Sequence, residues 1–267
     1  SVDVDRGRAR LALADGTRLA AQLAVAADGA RSTLRALSGL DPPVDAVGSG
    51  MRALVANLRT ERPHESTAWQ RFTSDGPLAF LPLSNGECSI VWSLADARAD
   101  ELLGLDDDAF RTCVGAAFEH RLGAIVACSA RAAFPLAPML APRYAAERVV
   151  LVGDAAHVVL PLAGQGLNLG LLDVAALCEV LADAGRDELG APATLARYER
   201  WRRADNALAA RAFELLDRLF RSQSPGIAWL RGTGLSLAAS IAPLRREFAL
   251  QASGFAGRVP ALSRRLS

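Results

Sequence analysis

An aspartate set between glycines at the end of an apolar run is the combination in this sequence best suited to holding a polyhydroxylated, electron-rich ligand. Val149-Val150-Leu151-Val152 is a run of strand length that stops at Gly153-Asp154. Pro161 closes a short loop, and Gly164-Gln165-Gly166-Leu167-Asn168 opens a long periodic segment. Gly153 lets a ligand come close to the backbone, and Asp154 can accept hydrogen bonds from sugar hydroxyls. Gly164 and Gly166 leave N–H groups free where the positive end of the following helix points. A shorter constellation lies upstream, where the apolar run Val25-Ala26-Ala27 ends at Asp28-Gly29-Ala30-Arg31. There Ser32 and Thr33 are placed to cap a helix running to about Ser38.

The rest of the pattern says what positions these turns. Residues 2 to 26 read as a meander: Val2 to Asp5, Ala9 to Ala14, the turn Asp15-Gly16, and a strand from Thr17 to Ala26. Asp41-Pro42-Pro43 marks a boundary. Gly48-Ser49-Gly50-Met51-Arg52-Ala53 has the outline of a GxGxxA fingerprint, with Gly232-Thr233-Gly234 a poorer one. Neither follows a strong strand and opens a helix, and Met51 to Thr60 alternates as a strand, so both are read as decoys. Residues 51 to 94 predict antiparallel sheet, with Asn85-Gly86 the hairpin turn between Pro77–Ser84 and Glu87–Leu94. Cys88, Ile90, Trp92 and Leu94 share the face expected to be buried. Helices are expected over Ala97–Leu103 and Asp107–Leu122, then one strand to Phe134. A helix over Gly166–Ala184 carries Leu167, Gly170, Leu171, Val174, Leu177, Cys178 and Leu181 at three-and-four spacing. Pro192 starts another to about Arg221, and Pro225 a third. Trp229 to Arg246 mixes apolar residues with Arg, which suits packing on those helices better than a membrane.

Composition bounds the function. The chain has 267 residues, enough for a large core, and a formal net charge of +1, which gives no pull toward nucleic acid. Every basic residue of the Lys/Arg class is Arg, which excludes lysine-dependent chemistry. Cys88, Cys113, Cys128 and Cys178 form no CxxC pair, and His64, His120 and His157 share no ligand spacing, so no metal is expected. No uninterrupted apolar run of about 18 residues and no signal peptide is read, and the expected setting is a reduced cytoplasm.

The stretch Gly153 to Asn168 resembles the second flavin-contacting motif of the FAD-dependent aromatic hydroxylases, the class A flavoprotein monooxygenases. Asp154, Pro161, Gly164, Gly166 and Asn168 stand in the family's register. The resemblance implies that Asp154 holds the ribityl chain of FAD while the loop from Pro161 through Gln165 and Leu167 to Asn168 lies along the isoalloxazine. Asp28-Gly29 with Arg31 is similar to the family's Asp-Gly motif near the FAD pyrophosphate and the path of NAD(P)H. The implied cofactor-binding set is therefore Asp28, Gly29, Arg31, Gly153, Asp154, Pro161, Gly164, Gln165, Gly166, Leu167 and Asn168, with no side chain acting as a covalent catalyst. The sheet between the motifs would floor a substrate pocket, for which Trp69, Phe72, Phe80 and Trp92 are candidates or, equally, ordinary core residues. Flavin halogenases share the fold but depend on a lysine.

The hairpin Pro77–Leu94, the wording Pro161-Leu162-Ala163-Gly164-Gln165-Gly166, and the tail from Leu230-Arg231-Gly232 to Gln251-Ala252 look like the ubiquinone-biosynthesis hydroxylases. That likeness implies hydroxylation of a polyprenyl-substituted phenol or quinol, with NAD(P)H reducing FAD and O2 supplying the oxygen. The expected fold is mixed α/β (α+β): an incomplete FAD-binding Rossmann-like domain with an inserted antiparallel substrate sheet and C-terminal helices. Its expected segments are 1–47 and 143–190 for the FAD-binding part, 48–142 for the sheet and 191–267 for a helical region. No strand–GxGxxG–helix unit precedes Val2, so about a third of the family's chain is expected to lie outside this sequence, given the size of that unit. Beyond a small aromatic or quinol substrate, three contacts stay open: the periphery of the inner membrane, a biosynthetic complex, and a second chain supplying the N-terminal unit. A catalytically silent homologue serving as a binding or scaffold subunit is the alternative reading.

Overall fold

A computed structural model describes residues 1–5, 7–42, 50–161, 164–221 and 259–264. Strands β1 (Val2–Asp5), β2 (Arg8–Ala12) and β3 (Arg18–Ala21) form an antiparallel meander, turned at Asp15-Gly16 by the Asp15 carboxylate accepting the Thr17 N–H at 2.9 Å. The expected single strand Thr17–Ala26 is instead two. β3 is an exposed edge strand, whereas β4 (Ala24–Ala26) turns away to bury Ala24 and Ala26 in a different sheet. Burial of those two side chains decides the break, because a strand serves only one sheet at a time. Helix α1 (Thr33–Leu37) follows at once, with the Ser32 hydroxyl accepting the Arg35 N–H as an N-cap.

The central sheet runs β10-β5-β8-β7-β6, where β5 is Met51–Thr60, β6 Trp69–Phe72, β7 Pro77–Pro82 and β8 Cys88–Ala95. The β7–β8 hairpin turns through Asn85-Gly86 with Gly86 in the left-handed region at φ 86°, as the dipeptide predicts. Helices α2 (Asp96–Gly104) and α3 (Asp107–Ala117) cover the face bearing Leu54, Leu58, Phe80, Ile90 and Trp92. α3 ends five residues before the expected Leu122 because Glu119 and His120 both take positive φ and unwind the chain. The expected strand to Phe134 is β9 (Ile125–Cys128) and β10 (Ala132–Leu136), both paired to the same edge of β5. Between them Ser129 exchanges backbone and hydroxyl bonds with Asn57.

The chain then returns through β11 (Met139–Leu140), β12 (Ala145–Ala146), β13 (Val149–Leu151) and β14 (His157–Val158). β13 lies parallel to β4 and antiparallel to β12, while β14 pairs with β11. Helices α4 (Gln165–Ala182) and α5 (Pro192–Arg221) pack against this layer. Val150, Leu151, Ala176, Leu177, Val180, Leu195, Tyr198 and Trp201 make its core, and the Tyr198 hydroxyl donates to the Leu151 carbonyl at 2.8 Å. Burial drives the Tyr198 phenol far above its ordinary pKa, so it stays a donor. α4 is long and apolar enough to cross a membrane by length and composition alone, although no uninterrupted apolar run was read there. Asp173 and Glu179 interrupt it, and its Ala175–Leu177 side lies in the protein core.

The mixed α/β class with an inserted antiparallel sheet is as expected. Ser49 of the first decoy fingerprint, Thr233 and Gly234 of the second, Leu162 and Ala163, the tail from Leu230 to Ala252, Gly48 and Gly232, together with the helix expected from Pro225 and the Trp229–Arg246 segment, lie outside the described residues.

Candidate functional site

Two parallel neighbours, β4 and β13, deliver both glycine–aspartate turns to one edge of their sheet. Register pairs Ala26 with Leu151, and the Val152 N–H extends the ladder to the Ala26 carbonyl at 3.0 Å. The ends of parallel strands in such a layer are where ligands collect. Gly29 (φ 82°) and Gly153 (φ 58°) then turn the two chains in the left-handed region.

Arg35 ties the two turns together. Its guanidinium donates to the Ala155 carbonyl and to the Ala30 carbonyl, each at 3.0 Å, and its Nε reaches Asp41 at 2.6 Å. A buried arginine satisfied by one carbonyl from each turn, the second 120 residues further along the chain than the arginine itself, is a strut rather than a surface charge. Asp28 has a local duty: its carboxylate accepts from the Ser32 hydroxyl at 2.5 Å and the Leu34 N–H at 3.2 Å, capping α1. Burial works to raise its pKa, but the Ser32 and Leu34 hydrogen bonds outweigh that and hold it below the ordinary carboxylate value.

A cavity of about 590 Å³ opens between the turns and the start of α4, a size ordinary for a cofactor or substrate site. Of the eleven residues singled out in the sequence, Gly29, Gly153, Asp154, Pro161, Gly164, Gly166 and Leu167 line it. Asp28, Arg31, Gln165 and Asn168 are not on its wall. Arg31 and Asn168 are exposed, and the Asn168 amide donates to the Gln165 side chain at 3.4 Å. Leu167, Leu171 and Val174 turn the exposed stripe of α4 into the apolar side of the cavity. The three-and-four spacing predicts a buried stripe containing all three together with Leu177 and Cys178. Leu177 is buried as expected, but Cys178 is exposed like the other three, and the core takes the adjacent Ala175 and Ala176.

Behind the Gly153 turn lies a polar group that the motif does not announce. Asp173, wholly buried, accepts the Gly153 N–H at 3.0 Å and the His157 Nε2–H at 2.6 Å on one oxygen. On the other it accepts Arg202 Nε at 2.7 Å and Asn206 Nδ2 at 3.0 Å. Arg202 also donates to the Asp205 carboxylate and to the Asn206 side-chain Oδ1, and the Asn206 Nδ2 donates to the Tyr144 hydroxyl at 3.3 Å. Burial pushes the Asp173 carboxyl upward, but its bond from His157 and the charges of His157 and Arg202 prevail and hold it below the ordinary value. Asp173 escaped the sequence reading because an aspartate inside an apolar helix looks like a solvent-facing position. Its three-and-four placement on the buried side, beside Ala176 and Leu177, was the available signal.

Of the candidate substrate-side aromatics, Phe80 and Trp92 belong to the core under α2 and α3. Trp69 packs on that core and carries the Arg121 guanidinium over its ring at 4.7 Å. Phe72 points to the opposite face, where it stacks on Phe220 of α5 at 3.8 Å between ring centres. The strand registers place Ala53, Val55, Ala79, Val91 and Ser93 on that same opposite face, a floor of small side chains.

The cavity suits a flat, partly polar cofactor by a direct criterion. Among the described residues, a Cβ built on Gly164 or Gly166 meets no atom within 4 Å beyond its own chain neighbours and helix backbone, so the space over both backbones is open. Gly164, in the left-handed region at φ 66°, is the N-cap of an 18-residue helix whose first N–H groups have no intrahelical partner. One exposed carboxylate, a helix N-terminus and an apolar wall therefore surround one space, which matches a polyol, a ring that gains negative charge and an aromatic face.

A family model described as an FAD binding domain matches residues 3–212. Ubiquinone hydroxylase UbiL of Rhodospirillum rubrum is 38% identical over 244 residues, covering 91% of this chain and 56% of that protein. The 3-demethoxyubiquinol 3-hydroxylase of Escherichia coli is 35% identical over 240 residues, covering 89% and 60%. The chain thus spans less than two thirds of the length of these relatives. Among solved structures, OxyS anhydrotetracycline hydroxylase from Streptomyces rimosus superposes with a TM-score of 0.66 at 25% identity, covering 97% of this chain and 52% of that one.

Proposed function

Because the chain belongs to the FAD binding domain family, we propose that the cavity at the ends of β4 and β13 seats the flavin of an NAD(P)H-dependent monooxygenase that hydroxylates an aromatic ring. The observation that carries the reading is the open backbone of Gly164 and Gly166 facing the same space as Asp154. A bound FAD would supply the redox chemistry by which two electrons from NAD(P)H and O2 put one oxygen atom on the ring and release the other as water.

Each residue's part follows from its chemistry. Asp154 accepts hydrogen bonds from the ribityl hydroxyls. The backbones of Gly164 and Gly166 approach the isoalloxazine, and the N-terminal N–H groups of α4, at Gln165 to Leu167, stabilise negative charge on the reduced ring. Pro161 fixes the loop at the ring's edge, Leu167, Leu171 and Val174 exclude water, and Gly29 gives the pyrophosphate side access to backbone. Asp28 serves by capping α1 and so fixing Gly29, and Arg31 and Asn168 lie close enough in sequence to close over a bound cofactor's edge.

The substrate proposed is a polyprenyl phenol or quinol of ubiquinone biosynthesis, as the names of the relatives suggest. On this reading the sheet face that carries Ala53, Ala79 and Ser93 would floor the substrate site with small side chains, and Phe72 with Phe220 would give it an apolar border. Such a substrate places the protein in the cytoplasm at the membrane's edge, and the segment division 1–47, 48–142, 143–190 and 191–267 is retained on this reading. The test supplies isotopically heavy dioxygen, NAD(P)H and a polyprenyl phenol to flavin-loaded protein and looks for the heavy atom in the product by mass spectrometry. Incorporation supports the reading. NAD(P)H oxidation without incorporation removes it, and flavin binding with neither leaves the silent binding subunit as the better account.

A further inference from the structure

A buried carboxylate that accepts four hydrogen bonds from four residues costs more to bury than an apolar side chain of similar size. Asp173 stands on α4, one turn beyond Gly170. Its donors come from the Gly153 turn, from β14 through His157 and from α5 through Arg202 and Asn206. Two of these partners have no reason of their own to be inside: Arg202 and Asn206 are almost completely buried, midway along a helix whose other described charged residues are exposed or only partly buried. Packing does not require such a group, since Leu151, Ala176, Leu177 and Tyr198 already supply a core around it.

The contact that sets this cluster apart from an ordinary buried ion pair is the one to Gly153 N–H at 3.0 Å. Gly153 holds φ 58°, a conformation with a neighbouring alternative always available to glycine, and the next residue is Asp154 on the cavity wall. Pinning the Gly153 N–H inward fixes the Val152–Gly153 peptide, from which the turn carrying Asp154 starts. Arg35 holds the same turn two residues later through the Ala155 carbonyl. The turn is thereby fixed at both ends by charged side chains, one from α1 and one from α4.

Resting on the flavin reading above, we infer that Asp173 is a positioning residue for cofactor affinity: through Gly153 and His157 it presets the turn that carries Asp154, and through Arg202 it links that turn to α5. The carboxylate touches no cofactor atom. Its effect is transmitted by one backbone N–H, so a neutral amide of the same shape, which offers one acceptor oxygen in place of two, should release the turn without opening a cavity.

The experiment compares wild type, Asp173→Asn, His157→Gln and Val180→Ala in FAD titrations followed by flavin fluorescence, by the visible flavin absorption and circular dichroism bands, and by thermal unfolding without flavin. Val180 lies in the same core without touching the turn, so its variant reports general destabilisation alone. Asp173→Asn is expected to raise the FAD dissociation constant about tenfold or more and to shift the visible bands, His157→Gln to do so less, and Val180→Ala to lower the unfolding temperature with the bands unchanged. If Asp173→Asn fails to fold, His157→Gln decides alone by the same criteria. Affinity and spectra that follow unfolding temperature across all variants, or that stay at wild-type values in Asp173→Asn and His157→Gln, overturn the inference while leaving the flavin reading intact. No flavin binding by wild type removes both.

Discussion

Gly153 and Gly170 face each other so closely that a Cβ built on Gly170 would lie 3.2 Å from the Gly153 Cα. The turn that carries Asp154 therefore rests directly on α4, with no side chain between. Gly170→Ala should push the turn outward, costing about 1 kcal/mol in stability, as mild overpacking does. FAD affinity should fall about fivefold, the factor to which about 1 kcal/mol corresponds. Denaturant unfolding and flavin titration on the same preparation check this, and unchanged values in both would show that the contact is slack.

Arg35 predicts a different kind of loss. Arg35→Met removes the donors to the Ala30 and Ala155 carbonyls and leaves Asp41 without its guanidinium. Stability should fall by roughly 2–3 kcal/mol, the range for buried acceptors stripped of a charged donor. Urea unfolding monitored by circular dichroism measures it. A fall below about 0.5 kcal/mol, the size of an ordinary surface change, would mean that water replaces the strut.

Acid should unfold the protein partly through Asp173. Its folded pKa lies below the unfolded value of about 3.9. Its contribution is therefore fully present above that unfolded value and is lost as pH falls from there through the lower folded pKa. Unfolding temperatures between neutral pH and pH of about 3 should drop steeply in wild type below about 4, where carboxylates take up protons. In Asp173→Asn, already less stable at neutral pH, the drop should be shallower. Parallel curves for the two proteins would remove Asp173 from the acid transition.

Gly166 separates ligand from fold. A side chain there meets nothing in the protein, and valine has a better helix propensity than glycine. Gly166→Val should thus leave circular dichroism and unfolding nearly unchanged while abolishing flavin-dependent NAD(P)H oxidation. Retained oxidation would show that the loop does not face the ring.

These outcomes also mark how far the residues could be read in advance. Turns announce themselves locally, so Asp15-Gly16, Asn85-Gly86 and the starts of α4 and α5 were legible, because glycine, proline and capping residues act on their own neighbours. The breaks between β3 and β4 and between β9 and β10 were not, since each depends on which sheet edge is free, a matter of tertiary pairing. Within the site, Gly153, Asp154, Gly164 and Gly166 stood out by spacing. Asp173, Arg35 and Asn206 did not, because each has a partner far along the chain, 20 residues away for Asp173 with Gly153, 33 for Asn206 with Asp173 and 120 for Arg35 with Ala155, and a buried polar residue carries no local mark. Asp28 was legible as a motif, while its service to α1 became clear only from the Ser32 and Leu34 bonds.

The central claim, that the Gly153–Asp154 turn and the start of α4 hold a flavin, is met most directly by titrating wild type and Asp154→Ala with FAD, up to millimolar concentration, while following flavin fluorescence. A carboxylate bound to ribityl hydroxyls contributes about 1.5–3 kcal/mol through charge-assisted bonds, so the dissociation constant should rise about ten- to a hundredfold in the variant, with circular dichroism unchanged. Equal dissociation constants for the two proteins would contradict the account.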